Sequence, residues 1–204
     1  MRDQRASLPA NNARESFVSL AGDATRDCHR DRVVVCGETG SGKTTQLPHY
    51  LLDAALCAGG ERAARIRIVV TQPRRVAATS VATRVAQECG EDEIGGLVGY
   101  HIRHERRCSS RTKILFCTAG VLLRCLRGAT STHSDGDDGA DFVRKATHIV
   151  LDEIHERAAD SDLLLAALRR TVAAQHRREK ARKLSLVLMS ATLDAQLFQK
   201  YLDA

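Results

Sequence analysis

The chain has 204 residues, 43% of them hydrophobic and 27% charged, with a net charge of +6. That length suits one domain whose core needs neither disulfides nor a structural metal, and the composition excludes a fibrous or wholly disordered chain. No apolar run approaches the roughly 20 residues that span a bilayer, and the polar opening MRDQRASLPANN has no apolar signal-peptide core, so no membrane partner is expected.

Short β-branched runs alternate with helical stretches along the chain. Strands are expected at Arg32–Cys36, Ile66–Thr71, Lys113–Cys117, Thr147–Asp152 and Leu184–Ser190, with a shorter one near Leu97–Ile102. These runs are continuously apolar rather than alternating, as strands covered on both faces are. Helical patterns fall near 43–57, 74–89, 119–127, 160–177 and 194–202. The alternation predicts an α/β fold, a mostly parallel sheet with helices on both faces. Cys57–Arg65 and Gly128–Asp141, rich in turn formers and charge, are expected as surface insertions.

The basic residues are lopsided, 25 Arg against 6 Lys. Arginine suits phosphate through its planar, bidentate fork, although a GC-rich genome produces the same bias. Aromatics are 3% and Trp is absent, which argues against an aromatic platform for stacking bases. The seven cysteines are odd in number and form no CxxC pair, so neither a zinc site nor a disulfide framework is expected. Cys36 and Cys117 lie in apolar runs and are expected in the core. A reducing, intracellular setting follows, nucleus or cytoplasm, with the protein soluble.

Gly37-Glu38-Thr39-Gly40-Ser41-Gly42-Lys43-Thr44 matches GxxxxGK[ST], after a strand and before a helix, the context that motif requires. Its glycines let backbone N–H groups turn inward around phosphates, and the following helix aims its positive end at them. Lys43 is expected on the β- and γ-phosphates and Thr44 on Mg²⁺. Asp152 and Glu153 close the apolar strand HIVL, the place where α/β sheets present ligands. There Asp152 would help hold Mg²⁺ and Glu153 would polarise the attacking water. Alone, such a pair is equally a solvated turn.

Asp152-Glu153-Ile154-His155-Glu156-Arg157 resembles motif II of the DEAH-box and RNA-helicase-A-like helicases of superfamily two, in its DEIH form. Gly37–Pro48 (GETGSGKTTQLP) resembles their motif I, and Thr71–Glu88 (TQPRRVAATSVATRVAQE) their motif Ia and its continuation. Gly95–Glu105, Thr118–Arg124 and Ser190-Ala191-Thr192 are similar to further family segments, the last to motif III, in the family's order. The stretch RASLPANNARES resembles the segment before motif I, so the likeness covers nearly the whole chain.

The resemblance implies a RecA-like P-loop NTPase domain, the first of two, that hydrolyses ATP with Mg²⁺ while binding and unwinding RNA, single-stranded or structured. It implies nucleotide contacts from Gly37, Thr39, Gly40, Ser41, Gly42, Lys43, Thr44 and Thr45. It assigns catalysis to Lys43, Asp152 and Glu153, and metal binding to Thr44, Asp152 and Glu153. Arg84 would stack on adenine. His155, Ser190 and Thr192 would couple the nucleotide to domain motion. Arg74, Arg75 and Thr118 would touch the RNA backbone.

Read as residues alone, Arg74 and Arg75 are also a solvated helix end, and Arg84 a surface side chain. His155 is also a turn histidine, and Ser190 and Thr192 also caps for the next helix. The basic cluster Arg177-Arg178, Lys180 and Arg182-Lys183 reads as an exposed helix end. Residues 1–30 are expected as a helical or irregular lead-in and 31–204 as the ATP-binding domain, ending after motif III. On that expectation a second RecA-like domain, with the family's arginine finger, is a missing partner. The alternatives are an ATP- and RNA-binding module without unwinding activity, and a P-loop ATPase directed at DNA.

Overall fold

The computed structural model describes residues 7–21, 31–128, 138–175, 184–191 and 195–203. Seven strands form one sheet: β1 (Arg32–Cys36), β2 (Ile68–Gln72), β3 (Val98–Ile102), β4 (Glu105–Arg107), β5 (Ile114–Thr118), β6 (His148–Leu151) and β7 (Ser185–Ser190). Their order is β1-β7-β6-β2-β5-β3-β4, parallel throughout except for the antiparallel β3–β4 pair. A short 3-10 helix (Pro9–Ala13) precedes α1 (Arg14–Ala21). The other helices are α2 (Lys43–Ala58), α3 (Gly60–Arg65), α4 (Arg75–Glu88), α5 (Ala119–Gly128), α6 (Asp138–Arg144), α7 (Ala159–Gln175) and α8 (Ala195–Asp203).

The two faces of the sheet carry two separate cores, as the period-2 geometry of a strand demands. Along β6, Ile149 and Leu151 join the core under α5, α6, α7 and α8, while Val150 joins the one under α1, α2 and α4. Along β7, Leu186 and Leu188 point one way and Val187 and Met189 the other. Continuous burial of β2, β6 and β7 is therefore the reason their sequences do not alternate. Edge strand β1 departs from this: only Val33 in it is buried, because only β7 pairs with it.

The sequence expectations shift by one or two residues at most strand ends. The strand expected at Ile66–Thr71 begins at Ile68 and ends at Gln72. The strand expected to include Asp152 stops at Leu151, where the backbone turns. Cys57–Arg65, expected as a surface insertion, has no buried residue from Gly60 on and is largely helical. Gly59 at φ +65 and Gly60 at φ +56 break α2 and start the exposed helix α3. The end of the stretch expected as the second insertion belongs to α6; residues 129–137 lie outside the described residues. Strand β4 was not anticipated, and its exposed ERR sequence has no apolar signal to announce it. Cys117 is buried, and burial pushes its thiol up; Cys36, expected in the core, is exposed at the end of the edge strand.

The parallel arrangement brings six loops to one edge. The carboxyl ends of β1, β2, β3, β5, β6 and β7 open respectively into Gly37, Pro73, Arg103, Ala119, Asp152 and Ala191. Ligands of open α/β sheets bind along this edge.

Candidate nucleotide site and nucleic-acid groove

The loop after β1 wraps the first turn of α2. Gly40 (φ +83) and Gly42 (φ +91) adopt left-handed backbone that side chains resist, which lets the loop fold back on itself. Lys43 is buried, and its Nζ donates to the Gly37 carbonyl, to the Glu38 carbonyl at 2.8 Å and to Ser41 Oγ at 3.2 Å. The ammonium thus occupies the hollow of the loop. A polyphosphate would take over these acceptors' role, placing an anionic oxygen opposite the ammonium in place of a neutral carbonyl or hydroxyl. Thr39 and Gly40 are exposed on the rim, and Gly37, Ser41 and Gly42 are half-buried. Thr45 is turned into the helix instead: its hydroxyl donates to the Gly42 carbonyl at 3.3 Å and accepts from Gln46 Nε2 at 2.9 Å.

The carboxylate after β6 meets this loop. Thr44 Oγ1 donates to Asp152 Oδ2 at 2.6 Å, and Gln72 Nε2 from the end of β2 donates to the same oxygen at 2.7 Å. The Glu153 N–H donates to Asp152 Oδ1 at 2.9 Å. Asp152 is 4% exposed. Burial holds its carboxyl above the usual carboxylate range, against the pull of Thr44, Gln72, the Glu153 amide and Lys43. Glu153 is raised as well, by burial first and then by the Asp152 charge, with His155 and Lys43 opposing. Glu153 sits at φ +51, ψ +39, a left-handed conformation uncommon for a side-chain-bearing residue, held by the 3-10 turn Ile154–Glu156 and by Ile154 buried in the core.

Strand β7 ties in from the other side. The Ser190 carbonyl accepts the Gly37 N–H at 3.1 Å, and the Ala191 N–H reaches His155 Nδ1 at 3.3 Å. Glu153 Oε2 lies 3.4 Å from that same ring nitrogen. One nitrogen cannot satisfy both: unprotonated, it accepts from Ala191, and protonated, it faces Glu153. His155 therefore stands where the segments after β6 and β7 meet the carboxylate. Thr192 and the cluster from Arg177 to Lys183 lie outside the described residues.

The lead-in segment closes the back of the site. The Ala10 N–H donates to the Ser41 carbonyl at 3.0 Å, and Leu8 packs on Gly42 so closely that a Cβ there would lie 2.9 Å from Leu8 Cδ1. Pro9, Ala10 and Ala13 line, with Cys36 and the loop, a cavity of about 440 Å³. Desolvation raises the Cys36 thiol there, with Lys43 opposing.

A second hollow of about 630 Å³ opens farther along the same edge, between the loops after β2 and β5 and the start of α7. Arg75, Arg103, Thr118 and Arg124 line it, and all three arginines are exposed. Arg74 is exposed beside it, 4.0 Å from Glu156. Arg75 and Thr118 thus meet in one groove, and Arg84 stands elsewhere, on the outer side of α4 next to α2. Gln72, Arg103 and Arg124 carried no individual assignment from the sequence. A polar residue closing the apolar run IVVT was the available signal for Gln72; nothing local distinguishes the two arginines from other surface arginines.

Among the described residues no cluster of three or more His, Cys, Asp and Glu side chains could by itself hold a metal. The hard oxygens of Thr44 and Asp152, 2.6 Å apart at the mouth of a phosphate loop, do suit Mg²⁺, which takes one or two protein ligands and completes its shell with water and phosphate. A buried carboxylate held above its usual range is also the group a cation would relieve.

Sheet, phosphate loop and strand-end carboxylate together define a RecA-like P-loop domain. The DEAD/DEAH box helicase family matches residues 21–199, and the chain belongs to that family. Among its relatives, "ATP-dependent RNA helicase DHX29" of Mus musculus is 44% identical over 203 residues, covering 97% of this chain and 13% of the mouse protein. "DExH-box ATP-dependent RNA helicase DExH3" of Arabidopsis thaliana is 46% identical over 97% of this chain and 14% of its own length. "DExH-box ATP-dependent RNA helicase DExH4, chloroplastic" of the same plant is 38% identical over 98% and 13%. The chain thus spans about one-eighth of the length of the curated relatives it matches. No helix among the described residues is long and apolar enough to cross a membrane.

Proposed function

We propose that this chain is the ATP-binding half of an RNA helicase motor, binding ATP with Mg²⁺ at the phosphate loop and RNA backbone along the neighbouring groove. The observation that carries the reading is the Thr44–Asp152 contact of 2.6 Å, which joins the phosphate loop to the strand-end carboxylate at one point. Lys43 and the loop amides bind and orient the triphosphate, preorganised around the space it fills. Bound Mg²⁺, held by Thr44 and Asp152, would supply charge neutralisation for phosphoryl transfer. Glu153 orients water and accepts its proton; its raised carboxyl suits a base that must work near neutral pH. His155 and Ser190 report the state of that site to the segment after β7.

Arg84 offers an exposed guanidinium plane to the base, and Arg75, Thr118 and Arg124 bind phosphates without reading sequence. Both hollows open on the same edge, where a second domain could close over nucleotide and RNA together and supply a charge-stabilising arginine. Such fingers contribute about 10³–10⁵ in rate, so this chain alone should bind ATP but turn it over slowly. The test is ATP binding and turnover with and without single-stranded RNA, beside Lys43→Ala. Binding that is lost in the variant, with slow and weakly stimulated turnover, supports the reading. Equal ATP binding by both proteins would overturn it.

A further inference from the structure

Behind the first turns of α2 lies a buried polar cluster that the phosphate chemistry leaves unexplained. Glu88, the last residue of α4, has a side chain only 7% exposed. Its Oε2 accepts from Gln46 Nε2 at 2.9 Å, and His49 Nε2 lies 3.7 Å from the same oxygen. Gln46 and His49 are 0% and 2% exposed. Its Oε1 accepts from Arg84 Nε at 3.1 Å. The Arg84 side chain, by contrast, is 66% exposed.

An ordinary exposed i,i+4 pair holds a long arginine loosely and contributes little. This pair differs, because its acceptor is fixed from a second helix. A buried carboxylate is costly unless donors converge on it, and here Gln46 of α2 and Arg84 of α4 each donate to one oxygen, with the buried His49 ring 3.7 Å away. The bond to Glu88 is made through Nε, which orients the guanidinium plane, while the Arg84 side chain as a whole remains largely exposed. The α2 end of the clamp is Gln46, two residues after Thr44, whose Nε2 also touches Thr45 Oγ1. The clamp therefore sets the guanidinium against the helix that begins in the phosphate loop.

We infer that Glu88 is a positioning residue for the nucleotide's base: clamped by Gln46 and His49, it holds Arg84 as a pre-oriented platform at a set distance from the triphosphate. Preorganisation of this kind raises affinity by removing the cost of ordering the side chain on binding. The inference rests on the reading of the phosphate loop as an ATP site with Arg84 beside the base.

The test uses the full 204-residue chain and two probes, ATP-Mg and inorganic tripolyphosphate-Mg, the second lacking base and sugar. Arg84→Ala and Glu88→Ala should each weaken ATP about two- to fivefold, the loss of one exposed cation–π contact, and leave tripolyphosphate unchanged. The double variant should be no weaker than Arg84→Ala alone, since both remove one platform. Glu88→Gln, of equal volume, guards against a misfolded alanine variant and should move ATP in the same direction by a smaller factor. Parallel weakening of both probes by the Glu88 variants would make Glu88 a packing residue and overturn the inference. So would additivity, or Glu88 variants without effect where Arg84→Ala weakens ATP. If Arg84→Ala leaves ATP unchanged, the base assignment falls and this inference with it. If Lys43→Ala retains tripolyphosphate, the phosphate-loop reading itself is at fault.

Discussion

The two hollows along the sheet's carboxyl edge are built on opposite principles. At the phosphate loop, charged groups are buried and hydrogen-bonded to neutral groups around them: Lys43 inside the loop, Asp152 under Thr44 and Gln72. In the neighbouring groove the arginines 75, 103 and 124 are exposed. Burial strengthens each interaction and fixes its geometry, which chemistry at one phosphorus atom requires. Exposure leaves charge that attracts a polyanion at long range and lets it slide, which suits a backbone track. The first design makes binding and stability interdependent; the second separates them.

The largest expected effect lies at the buried end. Lys43→Ala removes two or three charge-assisted bonds to phosphate and should weaken ATP-Mg binding about 100-fold or more, measured by fluorescent-nucleotide titration. Next, Gln72→Leu takes one donor from a buried carboxylate oxygen. It should lower stability by about 1–3 kcal/mol, a melting temperature lower by roughly 2–10 °C in calorimetry. An unchanged melting temperature would contradict the buried-network side of the comparison.

At the open end, Arg75→Ala and Arg124→Ala should each weaken single-stranded RNA severalfold, with the slope of log K against log salt reduced by about 0.7 per residue. Neither should shift the melting temperature. A thermal loss comparable to that of Gln72→Leu would show the groove to be structural.

The smallest effect is in pH. Glu153 holds its proton to higher pH in the folded state than in the unfolded chain, so its contribution to stability falls as pH rises from the ordinary carboxylate range through the raised folded value. Glu153→Gln has no such proton to lose. In chelator-containing buffer the two proteins should melt together at acid pH, and the variant should melt higher near neutrality, as differential scanning calorimetry would read. The reverse order would mean that Glu153 is stabilised as a carboxylate.

Much of the phosphate side was legible beforehand because its demands are local. A strand, a glycine turn and a helix start are contiguous in sequence, and residues 37–44 announce them together. Asp152 was expected at the end of the apolar run before it, and the fold brings it against Thr44. The groove was only half legible: Arg75 and Thr118 came from motif likeness, while Arg103 and Arg124 required knowing which loops share an edge. Cys36 was misplaced because an apolar run says nothing about whether its strand is central or at the edge. Gln72 went without a role because its partner lies 80 residues away.

Composition, the strand–helix alternation and the glycine-lysine loop were enough to specify an α/β nucleotide-binding domain, since each rests on short-range backbone geometry. The sheet order, the convergence of Thr44, Gln72 and Asp152, the seating of Leu8 and Ala10 on the phosphate loop and the clamp around Glu88 belong to the folded molecule. Each depends on which parallel strands and helices become neighbours, and that follows from burying two faces of one sheet at once, a property of the whole chain that no local stretch contains.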